Sequence, residues 1–237
     1  MSLFSTTILT LFPEMFPGPL GHSLAGKALN KGLWQLKTLQ IRDFAEDKHK
    51  TVDDTPYGGG AGMVLRPDIL DKAIESAKNL NPDATLIYFT PRGEVFNQKM
   101  ANDLYKQNLI MICGRFEGID ERIIEKHNPK LISIGDFVLS GGEVAALTLL
   151  DACVRLLPEV IGKNESLNDE SFAISGEFAG LLEYPQYTKP QIWQDLEVPE
   201  VLLSGDHLKI KKWRKEKSEH LTKTLRSDLW AARKNAE

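Results

Sequence analysis

Apolar residues follow two rhythms along the first two thirds of the chain. Short runs dense in Ile, Leu, Phe and Thr, at 6–12, 36–42, 84–90, 109–113 and 131–134, predict β-strands. Ile69, Leu70, Ala73, Ile74 and Ala77 recur at helical spacing and predict a crossover helix over 67–78, with Pro67 suited to its first turn. After the last strand, Val144, Leu147, Leu149, Leu150, Val154 and Leu157 leave 141–157 apolar nearly all round. A helix of that kind is buried, in the core or at a subunit contact. Strands alternating with helices predict an α/β fold around a mainly parallel sheet.

The pattern breaks at Gly162, where GKNESLNDESFAISGEFAG is rich in Asn, Ser, Gly and acids and has no sustained period. It reads as a linker, and the chain beyond it is helical in composition. The expected organisation is an α/β domain over 1–162, a linker over 163–180 and a small α-helical domain over 181–237. With 237 residues the chain can bury a core without metal or disulfide staples, and 42% hydrophobic content excludes global disorder. Cys113 and Cys153 lie in apolar runs without CxxC spacing and read as buried thiols in a reducing compartment. The first dozen residues lack the marks of a signal peptide, and no uncharged stretch approaches the ~18 residues that span a bilayer. A cytoplasmic protein with no membrane partner is expected.

Four segments could carry chemistry. Gly58, Gly59, Gly60 and Gly62 follow Tyr57 closely, so the backbone there could approach a flat or phosphorylated ligand; the absence of a following Gly-Lys-Ser/Thr excludes a Walker A loop, and a merely flexible loop reads equally well. Three glycine-bearing loops, at 90–93, 113–122 and 134–143, each follow a candidate strand. In open α/β sheets ligands sit at the carboxyl ends of strands, so the three loops define one crevice. Asp169 and Glu170 form an acidic pair that composition alone reads as solvated linker, and Asp151 and Arg155 are spaced for an i,i+4 ion pair. A net charge of −4 argues against a uniformly basic coat, yet six of the nine residues from Lys209 to Lys217 are positive around Trp213. Such a patch serves either as a solvated helical face or as a phosphate contact.

Four blocks in order, TVDDTPYGGGAGM, CGRFEGIDER, SIGDFVLSGGE and LLEYPQYTKP, resemble the bacterial tRNA (guanine-N1)-methyltransferase family, TrmD, of the SPOUT superfamily, and the resemblance covers nearly the whole chain. It implies a SPOUT-type, Rossmann-like sheet tied in a deep trefoil knot, an exception to the rule that chains do not thread loops. It implies S-adenosylmethionine held by Tyr88, Phe89, Thr90, Pro91, Gly114, Arg115, Glu117, Ile134, Gly135, Phe137, Leu139, Gly141 and Gly142. It also implies a homodimer with the active site between subunits, and tRNA as the substrate, methylated at N1 of guanosine 37.

In that family the general base is an Asp directly before Ser-Phe. Here Glu170 stands in that place, Asp169 precedes it and AISGEFAG resembles a short insertion, so the base is Asp169 or Glu170, with Asp169 favoured. Arg155 matches the arginine expected to stabilise charge on guanine O6. Gly58 to Gly60 would approach the target base, with Ala61 where the family often has proline. Lys211, Lys212 and Arg214 would meet the tRNA backbone, and Glu117 would help to hold a magnesium ion.

Overall fold

The computed structural model describes residues 4–161 and 169–234, and the chain divides into two compact units, Met1–Gly162 and Lys163–Glu237. The first unit is built on five parallel strands, and each of the five apolar runs supplies one. In chain order, β1 is Phe4–Thr10, α1 Ser23–Asn30, β2 Trp34–Gln40, and β3 Asp53–Asp54 and β4 Val64–Leu65 form a small antiparallel hairpin. There follow α2 Pro67–Leu80, β5 Thr85–Val95, α3 Gln98–Leu104, β6 Leu109–Ile112, α4 Glu121–His127, β7 Lys130–Ser133 and α5 Gly142–Val154. The sheet order is β2-β1-β6-β5-β7.

Alternate strand residues face opposite sides, as the period of two requires. Ile8, Ile87, Phe89, Leu109 and Met111 join α3 and α5 in one core, while Leu9, Leu86, Tyr88, Ile110 and Ile112 meet α2 and α4 in the other. The five apolar residues of the predicted crossover helix are the five that α2 buries. Across that face Asp71 accepts from Lys126 at 2.7 Å and lies 2.6 Å from the buried His127, tying α4 to α2 and holding the Asp71 carboxyl below its ordinary range. Helix α5 buries Ala145, Ala146, Leu149, Leu150, Cys153 and Val154, but Val144 on its other side is exposed.

One strand departs from expectation. Thr90-Pro91-Arg92-Gly93 reads as a loop ending a strand, yet β5 continues to Val95. Phe89 and Glu94 both register with Ile132, so the residues between them form a bulge, and Gly93 crosses the β7 backbone so closely that a Cβ would sit 2.4 Å from Ile132 N. The Pro-Gly content marks a bulge rather than an end.

Both cysteines are buried and unpaired; burial pushes the Cys113 thiol up and Cys153 to about 12. Native protein is therefore expected to be inert to a thiol reagent at pH 8, with both thiols reacting after unfolding in urea; prompt native-state reaction would contradict the packing.

In the second unit, β8 Ile192–Trp193 and β9 Leu196–Glu197 form a two-residue hairpin, with Gln194 and Asp195 both at positive φ as such a turn requires. Helices α6 Glu200–Leu203, α7 His207–Leu225 and α8 Ser227–Lys234 follow, and Asp206 caps α7 by accepting from Leu208 N and Lys209 N. Of the expected linker, 163–168 lies outside the described residues. The rest is folded in turns: Phe172 N donates to Leu181 O, Glu183 N to Ser171 Oγ, and Phe178 is buried with Leu181 and Tyr184 against Trp230. No helix among the described residues is long and apolar enough to cross a membrane.

Candidate functional site

At the carboxyl ends of β5, β6 and β7 the first unit encloses a cavity of about 250 Å³. Three separate segments line it. The stretch of β5 that enters its bulge gives Tyr88, Phe89, Thr90 and Pro91; the turn after β6 gives Gly114 to Gly118; and the segment from Ile132 to Gly142, with Ala145, gives the far wall.

The glycines are placed where a side chain would fill this space. A Cβ on Gly114 would lie 2.9 Å from the Tyr88 ring, and one on Gly141 would lie 2.3 Å from Arg115 Nε. On Gly142 it would lie 2.7 Å from Cys113 Cα, because Gly142 N donates to Gly114 O at 2.9 Å and draws the start of α5 against the β6 turn. Tyr88 is buried beneath these loops, which pushes its hydroxyl pKa up against an opposing backbone hydrogen bond from Ile119.

Arg115 is fixed from several sides. Its guanidinium stacks 4.4 Å from the Phe12 ring and donates to Ser140 O, and its Nε lies 3.0 Å from Oε2 of Glu143. That last contact is an ion pair without hydrogen-bond alignment. Glu143 is fully buried in the first turn of α5, where the helix dipole favours its charge, and accepts from Thr10 Oγ1 at 2.7 Å. Thr10, Phe12 and Glu143 thus support the cavity from behind.

The glycine loop is tied to the same rim. Leu65 N donates to Gly118 O, and Glu117 N to Met63 O, so the hairpin that carries residues 55–63 is stitched to the β6 turn. Gly58, Gly59, Gly60 and Gly62 all have positive φ, and Tyr57 beside them is fully exposed.

A family model for tRNA (Guanine-1)-methyltransferase TrmD matches residues 4–232. The chain belongs to the TrmD family. Relatives named tRNA (guanine-N(1)-)-methyltransferase include one from Rickettsia africae (strain ESF-5), 54% identical over 230 residues, 97% of this chain and 98% of the relative. Others come from Rhodospirillum rubrum, 56% identical over 94% of this chain and 91% of the relative, and from Zymomonas mobilis, 57% identical over 96% and 90%.

The thirteen residues that the TrmD resemblance implies for the methyl donor all line this one cavity. Backbone held bare of side chains, with Ile134, Phe137 and Leu139 as apolar walls, suits a flat heteroaromatic ligand. The carboxylate of Glu117 lies near Gly62 and is the one acid among the residues lining the cavity, while the described group of three possible ligands, Asp71, Glu75 and His127, is already bonded to Lys126 and Lys78. Magnesium is ordinarily held by one or two carboxylates together with waters and substrate phosphates, so Glu117 would supply one ligand of such a shell, and no step is drawn through the ion.

Other TrmD-type residues are not among those that line the cavity. Arg155 ends α5, thirteen residues on from Gly142, which at 1.5 Å per residue is about 20 Å along the helix. Asp169 and Glu170 are half-buried in the second unit, where Ala173 N donates to Glu170 O and the charge of Asp169 reaches Lys211 and Tyr184.

The basic cluster lies on α7 but is partly engaged. Lys211 pairs with Glu177 at 2.7 Å, Lys212 faces Glu216 at 3.9 Å and Arg214 stacks 4.6 Å from the Tyr184 ring. Sequence reading missed Glu143 and Thr10 as supports. A glutamate following Ser-Gly-Gly looks like an ordinary exposed first-turn acid, and only its burial opposite a residue 133 positions earlier gives it away.

Proposed function

We propose that the chain transfers a methyl group from S-adenosylmethionine to N1 of guanosine 37 in tRNA, just 3′ of the anticodon. What carries this reading is the gathering of three distant glycine-bearing segments into one cavity in a chain of this family. The donor, when bound, supplies a methyl group on a positively charged sulfur.

Guanine N1 carries a proton and becomes nucleophilic only as that proton leaves. A carboxylate within ~3 Å of N1 does this work, and Asp169 or Glu170 supplies it, Asp169 preferred. The arginine Arg155 holds the negative charge that moves onto O6. Gly58 to Gly60 bring backbone against the target base once it has left the anticodon stack. Lys211, Lys212 and Arg214 on α7 meet the tRNA backbone.

The site is completed between two subunits. Arg155 stands about 20 Å along α5 from the cavity of its own chain, so the distance favours a second copy as its source. Val144 and Val138, exposed apolar residues beside the cavity, favour a homodimer through this face. The deep trefoil knot and a cytoplasmic location complete the proposal, the knot being the family arrangement that would bind the Ile134 to Gly142 segment tightly across the sheet.

Incubation with methyl-labelled S-adenosylmethionine and unmodified tRNA, followed by digestion to nucleosides, is expected to yield labelled N1-methylguanosine. Label at N2, N7 or a ribose would overturn the general-base chemistry.

A further inference from the structure

The motif Tyr-Pro-Gln-Tyr-Thr-Lys-Pro at 184–190 has no part in the donor cavity. In the second unit it forms one wall of a separate cavity of about 450 Å³. Facing it across that space are α7, through Ile210, Trp213 and Arg214, and the α6 residues Leu202 and Leu203.

The lining combines three features. Tyr187 and Trp213 are aromatic neighbours with ring centres 6.2 Å apart, tilted by 59°, and Tyr187 remains 47% exposed, so ring surface is open to a flat group. Arg214 sits over the Tyr184 ring with its Cζ 4.6 Å from the centroid, and its Nε is buried with no hydrogen-bond partner among the described residues. Helix α7 carries six cations and one acid between Lys209 and Lys217, with Lys211 and Lys215 paired to Glu177, Lys217 held 5.8 Å from the Trp213 ring and Lys212 exposed.

Each feature selects the same kind of ligand. Unstacked bases of single-stranded RNA loops bind on aromatic faces and arginine planes, and every base has a π-face to offer. A buried guanidinium donor lacking an acceptor asks for an anionic oxygen, which a phosphodiester supplies. The cationic helix beside it favours a polyanion over a protein partner, which would have to bring its own acidic patch.

We propose that this cavity of the second unit receives one unstacked nucleotide of the bound tRNA, its base on Tyr187 and Trp213 and its phosphate toward Arg214. The inference rests on the reading of tRNA as substrate and adds to it a base-stacking site apart from the methylated guanosine. The stacking part of this affinity is largely insensitive to salt, because stacking releases no counterions, whereas Arg214 and the lysines of α7 act through charge.

The test uses the full chain and an unmodified tRNA transcript, with binding measured across a series of salt concentrations. Tyr187→Ala is expected to bind tRNA about tenfold more weakly with an unchanged dependence of log affinity on log salt. Tyr187→Phe, which keeps the ring, is expected to bind within twofold of the parent. Thermal unfolding and S-adenosylmethionine binding of both variants serve as folding controls and are expected to match the parent. Parent-like tRNA affinity in Tyr187→Ala would overturn the proposal, as would an equal loss in Tyr187→Phe. If N1-methylguanosine failed to form while Tyr187→Ala still weakened tRNA binding, the proposed reaction would fall and the nucleotide site would stand.

Discussion

Replacing Glu143 by alanine is expected to lower the free energy of unfolding by about 3 kcal/mol and to weaken S-adenosylmethionine binding at the same time. The carboxylate is wholly buried, and its removal leaves the Thr10 hydroxyl proton without an acceptor and the Arg115 guanidinium without its counter-charge. Breaking a buried pair from one side typically costs about 3–5 kcal/mol, and the lower end applies because the Arg115 side chain keeps 20% exposure to water. Since Arg115 lines the cavity and a Cβ at Gly141 would strike it, an arginine released from Glu143 also disturbs the wall that the donor meets. Glu143→Gln, which retains an acceptor for Thr10 and loses only the charge, is expected to fall between the two. Urea denaturation reads the effect as a lower midpoint at unchanged slope. A midpoint equal to that of the parent would show that the network adds nothing to stability.

Replacing Asp169 and Glu170 together by alanine is expected to lower methyl transfer by about 10²- to 10⁴-fold, the range a general base contributes. Donor binding is expected to stay near the parent value, because neither residue lines the donor cavity. The single variants then divide the role: Asp169→Ala carries the loss, and Glu170→Ala keeps most of the activity. A double variant with full activity would remove both carboxylates from the chemistry. The reverse split would make Glu170 the base.

Much of the first unit is legible in the sequence because its information is local. Short apolar runs mark β1, β2, β5, β6 and β7, and the buried face of α2 is read residue for residue. The continuation of β5 past Pro91 is not legible, since Pro and Gly usually end strands and only the register with Ile132 reveals a bulge. The cavity lining is legible through the family blocks rather than through periodicity, and its supporting layer is not. Glu143 becomes a structural acid only when Thr10 and Arg115 close around it. The same holds in the second unit, where a polar stretch that composition reads as linker is folded by a few residues, Phe172, Phe178 and Leu181, too sparse to form a periodic signal. Lys211 likewise reads as free for phosphate until Glu177 is found 2.7 Å away.

The division of the site follows from the same geometry. A helix is a rigid ruler, and α5 sets its two functional ends about 20 Å apart: Gly142 at the cavity and Arg155 at the far terminus. In the proposed reaction this separation favours an Arg155 drawn from a second copy of the chain. In the proposed dimer, two copies related by a twofold axis would bring the arginine end of one α5 to the cavity of the other, and dimerisation would be part of the chemistry.

The central claim, N1 methylation at guanosine 37, is tested most directly with two unmodified tRNA transcripts that differ at one nucleotide. Both carry guanosine at position 36; one has guanosine and the other adenosine at position 37. With labelled S-adenosylmethionine and a verified dimer, N1-methylguanosine is expected in the first transcript and no label in the second. Transfer to neither, or equal transfer to both, would contradict it.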